Sequence, residues 1–450
     1  MKELQEALTW PRLLNCLLLL LLFALSTGRA PLAAVSRVTL APHSAPLRGS
    51  ADWPASCGTA WQAPYAALHA RIVSGAAPQR TLVSVAVEAG VADRLSGLVS
   101  QFLFALLSGR ALQCATYGNL PPWEAAYVSP HLDMRPPALS AAVLEPLKFT
   151  YRGVRGYDGP REYAPDSGVD PARYYPLYLT NDYGLRARDM FHAQDLARAP
   201  EGHEGVPTIL SASNRGKSYA VFDNPHHSAQ LQAMGLTPDN AFACVHRFLF
   251  ALGPRTCDDV CREHARILDA AGAADTLRIA IHVRSGDAAF AEGDVPAPWQ
   301  QAEAHFSCAE EIAATRAAPN QSVLFYFNSD SLSLRRQAVE RYGARLLTDL
   351  RAGAGQTDCA FHGGCDSVNA SFRLAVAQLD LFARADVHVV SIGSGYGAMG
   401  AWLAPVRRHG QEGTRGHGTH IYRVLNGQAR ECGVAHADAV RDVAFGWAGF

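Results

Sequence analysis

Through the second half of the chain, short apolar runs that each close on a polar or glycine-rich loop alternate with amphipathic stretches. The runs at 279–283, 323–327 and 387–391 have the length and bounds of strands buried on both faces. Residues 307–317, 332–342 and 371–383 read as helices, and 398–403 as a helix leaving the third strand's loop. Such alternation predicts an α/β fold with parallel sheets covered on both sides. If the three strands lie side by side, their loops share one rim.

The first half repeats the theme less regularly. A strand is predicted at 81–87 and a helix at 93–111, where Leu95, Leu98, Val99, Phe102, Leu103 and Leu106 form an apolar stripe bounded by Gly109. A further strand is predicted at 208–213, then helices near 228–235, 237–252 and 257–271; Thr237 followed by Pro238 is a favourable helix start. The small-residue loop at Gly272 divides an N-terminal domain, 81–272, from a C-terminal one, 273–410. Residues 115–205 hold many aromatics without periodicity, among them Trp123, Tyr127, Tyr174, Tyr175 and Tyr178. Rings on such segments either build local cores or stack on sugar faces, and packing is the commoner use.

The ends of the chain place it in a compartment. Apart from Asn15, Leu13 to Leu25 is apolar and follows Arg12, which suits a signal peptide core or a short type II anchor within 1–30. Either sends the remainder into the secretory pathway. Residues 31–80, rich in Ala, Pro, Ser and Gly, read as a stem or loosely packed lead-in, and 411–450 as a tail that packs back or stays loose. His417, His420 and His436 lack ligand spacing and belong to that tail.

Composition narrows the functions. A net charge of −1 over 450 residues with no basic runs excludes a nucleic-acid binder. Of the 10 cysteines, nine lie beyond Cys16; several should pair in an oxidising lumen, and the odd number leaves at least one thiol free or paired between chains, with Cys359 and Cys365, which flank a turn, the expected local pair. Cys257 and Cys261 lack a second close pair, so zinc is not expected. Asn320 and Asn369 begin glycosylation sequons.

The chemistry concentrates after the strands. In Arg278-Ile279-Ala280-Ile281-His282-Val283-Arg284-Ser285-Gly286-Asp287 a buried strand turns abruptly polar, at the strand end where open sheets hold ligands. An arginine fork there suits a diphosphate. All basic residues except Lys2, Lys148 and Lys217 are arginines, however, so a single Arg is weak evidence. A second loop, Ser391-Ile392-Gly393-Ser394-Gly395-Tyr396-Gly397, offers backbone N–H groups at a helix start with two hydroxyls beside them. A third, Ser213-Asn214-Arg215-Gly216-Lys217, follows the strand at 208–213.

Taken together these stretches resemble the fucosyltransferase superfamily, the GDP-fucose-using inverting enzymes. His282-Val283-Arg284-Ser285-Gly286-Asp287 resembles its H-x-R-x-x-D segment. Phe325 to Asp330, followed by a helix and Thr348-Asp349, resembles its second motif, and Ala385 to Leu403 its third. Gly90 to Arg110 is similar to the G-x-x-N-R-L helix start of the α1,2 and plant cell-wall branches, and Ser213 to Gly216 with Met234-Gly235-Leu236 and Ala241-Phe242 looks closest to the cell-wall branch. The resemblance implies a GT-B-like fold of two Rossmann-like domains with no cofactor and no obligatory metal. Its partners would be a GDP-sugar donor and a glycan acceptor in the Golgi or another secretory lumen; a membrane anchor and a dimer are compatible. It also implies roles. Arg284 would neutralise the leaving phosphate, and His282, Asp330, Ser391, Ser394, Gly395 and Tyr396 would bind the donor. Glu292, at the spacing of the α1,6 branch's base, or Asp287 would take the acceptor proton, and Arg94, Asn214 and Arg215 are acceptor-side candidates.

Two positions depart from the family pattern. Asp93 stands where Asn is usual, and Gln378 where many members carry a carboxylate that reads guanine. The alternatives to a fucosyltransferase are therefore a non-catalytic glycan- or nucleotide-binding relative, and a transferase using another nucleotide sugar.

Overall fold

The computed structural model describes residues 57–438 apart from 88, 117–119, 145–146, 148–167, 180–183, 201–203, 214–215, 217, 272–275, 287–295, 352–364, 405–419, 425–431 and 433–436. They all fall within one compact unit, 51–450, that holds two parallel sheets.

The first sheet begins after helix α1 (Gln62–Val73), which occupies the end of the expected lead-in. Trp61 and Tyr65 bury their rings against Phe102 and Phe248, and that apolar burial is why this stretch is helix rather than stem. Then come β1 (Thr81–Val85), α2 (Val91–Ser108), β2 (Ala111–Ala115), β3 (Tyr174–Leu179), β4 (Thr208–Ser213) and α3 (Ala241–Leu249). The strand order is β2-β1-β4-β3, all parallel. Helix α2 is long and apolar enough to cross a bilayer, but protein covers nearly all of it. Gly109, at φ +64°, ends it by turning left-handed, so β2 starts where the pattern alone extends the helix. Strand β3 lies at the sheet edge, the position that tolerates its Pro176.

The second sheet comprises β5 (Thr276–Val283), β6 (Ser322–Ser329), β7 (Leu346–Leu347), β8 (Val387–Ser391), β9 (His420–Val424) and β10 (Ala437–Asp438), in the order β10-β9-β8-β5-β6-β7. All pairs are parallel except β9 with β10. The interleaved helices are α4 (Asp259–Ala270, before β5), α5 (Gln300–Arg316), α6 (Leu332–Tyr342), α7 (Cys365–Phe382) and α8 (Gly395–Leu403). The expected tail thus supplies two strands, β9 and β10, with His420 opening the first. Register aligns the ends of β8, β5 and β6: His282 lies opposite Val390 on one side and Asn328 on the other.

Both sheets feed one apolar core, in which Leu82 of β1 and Ala280 of β5 belong to the same buried cluster. Phe242 of α3 meets Trp402 of α8 edge to face at 5.4 Å. Disulfides join Cys57 to Cys244, Cys257 to Cys261 and Cys308 to Cys432, and Cys114 is a free, buried thiol. Cys257 and Cys261 are therefore bonded to each other rather than held ready for a metal. The expected Cys359–Cys365 bridge lies outside the described residues, as do His417 and His436. Asn320 is exposed in a loop at φ +71°, whereas Asn369 is half-buried within α7.

Candidate active site at the aligned strand ends

Strand β5 carries His282 into the core and delivers Arg284 just beyond it. The Arg284 backbone N–H donates to the Ser391 hydroxyl at 3.0 Å, which fastens the β5 loop to the end of β8. That hydroxyl also lies 3.0 Å from His305 Nε2 and donates to the His282 carbonyl at 3.4 Å. Ser391 is thus fully engaged by protein, and its place is behind the loop. On the other flank Asp330, at the end of β6, accepts from the backbone N–H groups of Ser285 at 2.7 Å and Gly286 at 3.2 Å. Its Oδ2 lies 3.6 Å from Arg284 Nε. Gly286 has φ +121°, a conformation that side chains resist, although no atom would crowd a Cβ there. The guanidinium of Arg284 is consequently held at its backbone and flank while 34% of its side chain stays exposed.

His282 is buried, with Nδ1 3.4 Å from the Ser394 hydroxyl and its ring 5.5 Å from that of Tyr396. Burial, reinforced by the Arg284 charge, drives its pKa down to about 3, so it is a neutral hydrogen-bonding ring at pH 7. A Cβ on Gly397 would come within 3.0 Å of that ring and 3.1 Å of Val390, and this close approach explains the last glycine of the turn. Ser394 caps α8 by accepting from the Gly397 N–H, placing a helix N-terminus beside the Arg284 loop. Gly395, its first residue, is buried. Tyr396 donates to the Ala375 carbonyl at 2.6 Å and lies 3.5 Å from Asn328 Nδ2; burial raises its pKa.

Behind this surface sits a residue that sequence reading does not single out. Arg335 of α6 is 1% exposed and donates to the carbonyls of Ser329 and Asp349, to Asn328 Oδ1 at 2.9 Å and to Gln378 Oε1 at 3.3 Å. It knits α6, α7 and the ends of β6 and β7 together. In so arginine-rich a chain nothing local marks it. His305 is missed for another reason: α5 starts at Gln300, earlier than its apolar pattern indicates, because Trp299 and Phe306 pack on Tyr342.

The structure separates the remaining candidates. Arg94 is sealed inside, 3% exposed, over Trp123 at 4.6 Å and Phe372 at 5.3 Å, with one bond to the Pro121 carbonyl at 2.8 Å. Burial lowers its pKa to about 10. It is a core cation and not a rim residue, because the ring faces of both halves close over it. Asp287, Glu292, Asn214 and Arg215 lie outside the described residues. Among the described residues no cluster of three His, Cys, Asp or Glu side chains is placed to hold a metal ion.

No protein-family model matches the chain, and a search of curated proteins finds no match. Solved structures do match. A mutant of Arabidopsis thaliana FUT1 in complex with GDP superposes with a TM-score of 0.51 at 14% identity, over 81% of this chain and 79% of that one. The chain shares the GT-B-like fold of that structure. The fucosyltransferase NodZ from Bradyrhizobium aligns at 15% identity over 78% of this chain and 97% of its own, with a TM-score of 0.42. POFUT1 in complex with GDP aligns at 11% identity over 78% and 99%, with a TM-score of 0.36. The likeness is one of architecture. Chemically, the aligned strand ends of this fold offer an anchored guanidinium, a helix N-terminus and a neutral imidazole, a set suited to an anion.

Proposed function

We propose that the chain is an inverting glycosyltransferase that moves fucose from GDP-fucose to a glycan hydroxyl in the secretory pathway. The observation that carries the proposal is the fastening of Arg284 between the Ser391 hydroxyl and the Asp330 carboxylate, beside the α8 N-terminus. As the bond from fucose to phosphate breaks, negative charge grows on the leaving diphosphate. A guanidinium already held in place stabilises that charge without reorganising. His282, neutral, and Ser394 sit beside it as hydrogen-bonding groups for the nucleotide. Ser391 and Asp330 act on the donor through the loop they hold. Inversion requires the acceptor hydroxyl to attack opposite the diphosphate while a base removes its proton, and Asp287 and Glu292 are the candidates for that step.

Gln378 favours one second reading. Its oxygen is engaged by Arg335, and it brings no carboxylate to the site. A transferase of this fold with another nucleotide sugar is therefore the alternative. Incubation of the purified chain with GDP-fucose, GDP-mannose and UDP-sugars, with and without mixed glycan acceptors, tests both readings by nucleotide release. Release from GDP-fucose alone supports the first, and release from a different donor supports the second. Saturable GDP binding without release from any donor leaves a binding protein.

A further inference from the structure

Val387, Val389 and Ser391 share one face of β8, as alternate residues of a strand do. The two valines belong to one apolar cluster with Ala302, Phe306 and Ala309 of α5. Opposite the hydroxyl that ends this face, α5 carries His305, which is 0% exposed, in place of a further apolar side chain. Its Nε2 lies 3.0 Å from the Ser391 hydroxyl. Burying an imidazole in an apolar layer costs free energy unless it is hydrogen-bonded, and Ser391 supplies the bond.

A serine hydroxyl has one proton and two lone pairs. Here one lone pair accepts the Arg284 backbone N–H at 3.0 Å. With a proton on Nε2, the imidazole donates to the second lone pair and leaves the hydroxyl proton to the His282 carbonyl at 3.4 Å; with Nε2 bare, it takes that proton itself. Either tautomer keeps the oxygen facing Arg284 and stops the hydroxyl from turning away. Helix α5 is a firm base for this bond. Phe306 stacks on Tyr342 at 4.6 Å, and Cys308, one turn beyond His305, is bonded to Cys432. We propose that His305 is a positioning residue for Arg284. Fully buried, it cannot touch substrate; it fixes Ser391 from behind the loop, and Ser391 fixes the backbone from which the guanidinium reaches out. This role rests on the reading of Arg284 as the group that meets the leaving diphosphate.

Kinetics with GDP-fucose, calorimetric titration with GDP and urea midpoints test it on the full chain carrying His305→Phe, His305→Gln, Ser391→Ala, or His305→Phe and Ser391→Ala together. His305→Phe should lower kcat per folded molecule by about 10-fold and leave KM for GDP-fucose within about 2-fold, because a misplaced charge costs most where the transition state develops its own. GDP carries that developed charge in full and should bind about 3- to 10-fold more weakly. His305→Gln, whose amide can reach the hydroxyl from the same place, should recover most of both losses. With Ser391→Ala already present, His305→Phe should cost nothing further, since the two act through one bond. His305→Leu repeats the measurement without the larger ring. Unchanged kcat and GDP affinity in the apolar variants overturn the proposal. So does a loss that adds in full to that of Ser391→Ala, or one that His305→Gln fails to recover at an unchanged urea midpoint. A chain that binds GDP but transfers no fucose refutes the transferase reading instead, and the coupling of His305 to Ser391 in GDP affinity then decides the positioning role by itself.

Discussion

The two sheets use the same residue types at their strand ends in opposite ways. In the first, Ser84 of β1 donates to Gln101 Oε1 at 2.6 Å, and Gln101 Nε2 donates to the Ser211 carbonyl and hydroxyl, each at 2.9 Å. Ser213 donates to the Leu179 carbonyl, and a Cβ on Gly97 would lie within 3.0 Å of Ser213, so α2 presses directly on β4. This network is neutral, buried and closed on itself. In the second sheet Ser391 and Asp330 also bond to backbone, but the loop they hold carries a charged side chain that reaches solvent. Buried polar groups that satisfy one another specify a packing; groups that position an incompletely covered charge prepare a site.

Substitutions should separate these roles. The largest expected effect is that of Arg284→Ala, which should lower kcat by about 100- to 1000-fold, as for loss of one preorganised transition-state donor, with an unchanged urea midpoint. Equal losses of stability and turnover would place Arg284 on the structural side. Gln101→Leu should do the reverse, destabilising the fold by about 1–3 kcal/mol for each hydroxyl left unpaired while kcat per folded molecule stays constant. Denaturant titration alongside single-turnover kinetics reads both. Asp330→Asn keeps one acceptor for the loop but removes its charge, and should lower kcat/KM by about 10-fold through misplacement of Arg284. A loss in kcat/KM as large as that of Arg284→Ala would mean the carboxylate itself touches the donor.

The smallest effect near neutrality is an acid response. Burial holds His282 near pKa 3 and His305 and His388 near 4. The unfolded state, with imidazoles near 6.5, then binds more protons below that value. Stability should be complete above pH 6.5, fall as pH drops from about 6.5 to 4, and flatten below the folded pKa values. Urea midpoints across that range check the sign, and His388→Gln should reduce the slope without altering turnover at pH 7.

Much of the second sheet was legible because each strand there is a short apolar run with an abrupt polar end. The boundaries of β8 and most of β5 and β6 follow from that alone. The first sheet was harder. Strand β2 merges with the apolar helix before it, and β3 is recognisable only once its edge position excuses Pro176. The strands β9 and β10 gave no signal, since their partners lie outside their own neighbourhood. For the site, Arg284, His282 and Ser394 stood out beside glycine turns. Arg335 and His305 did not, because a buried residue reached from a distant helix has meaning only through its contacts.

The bond between Cys308 and Cys432 has a topological consequence. It closes a covalent ring that contains β6, β7, β8 and β9 with their helices, and so two of the three strand ends that surround Arg284. A single backbone cut anywhere inside that ring opens it without releasing either piece. Both flanks of the Arg284 loop, Asp330 and Ser391, would stay tethered to one molecule until a reductant reached the sulfurs.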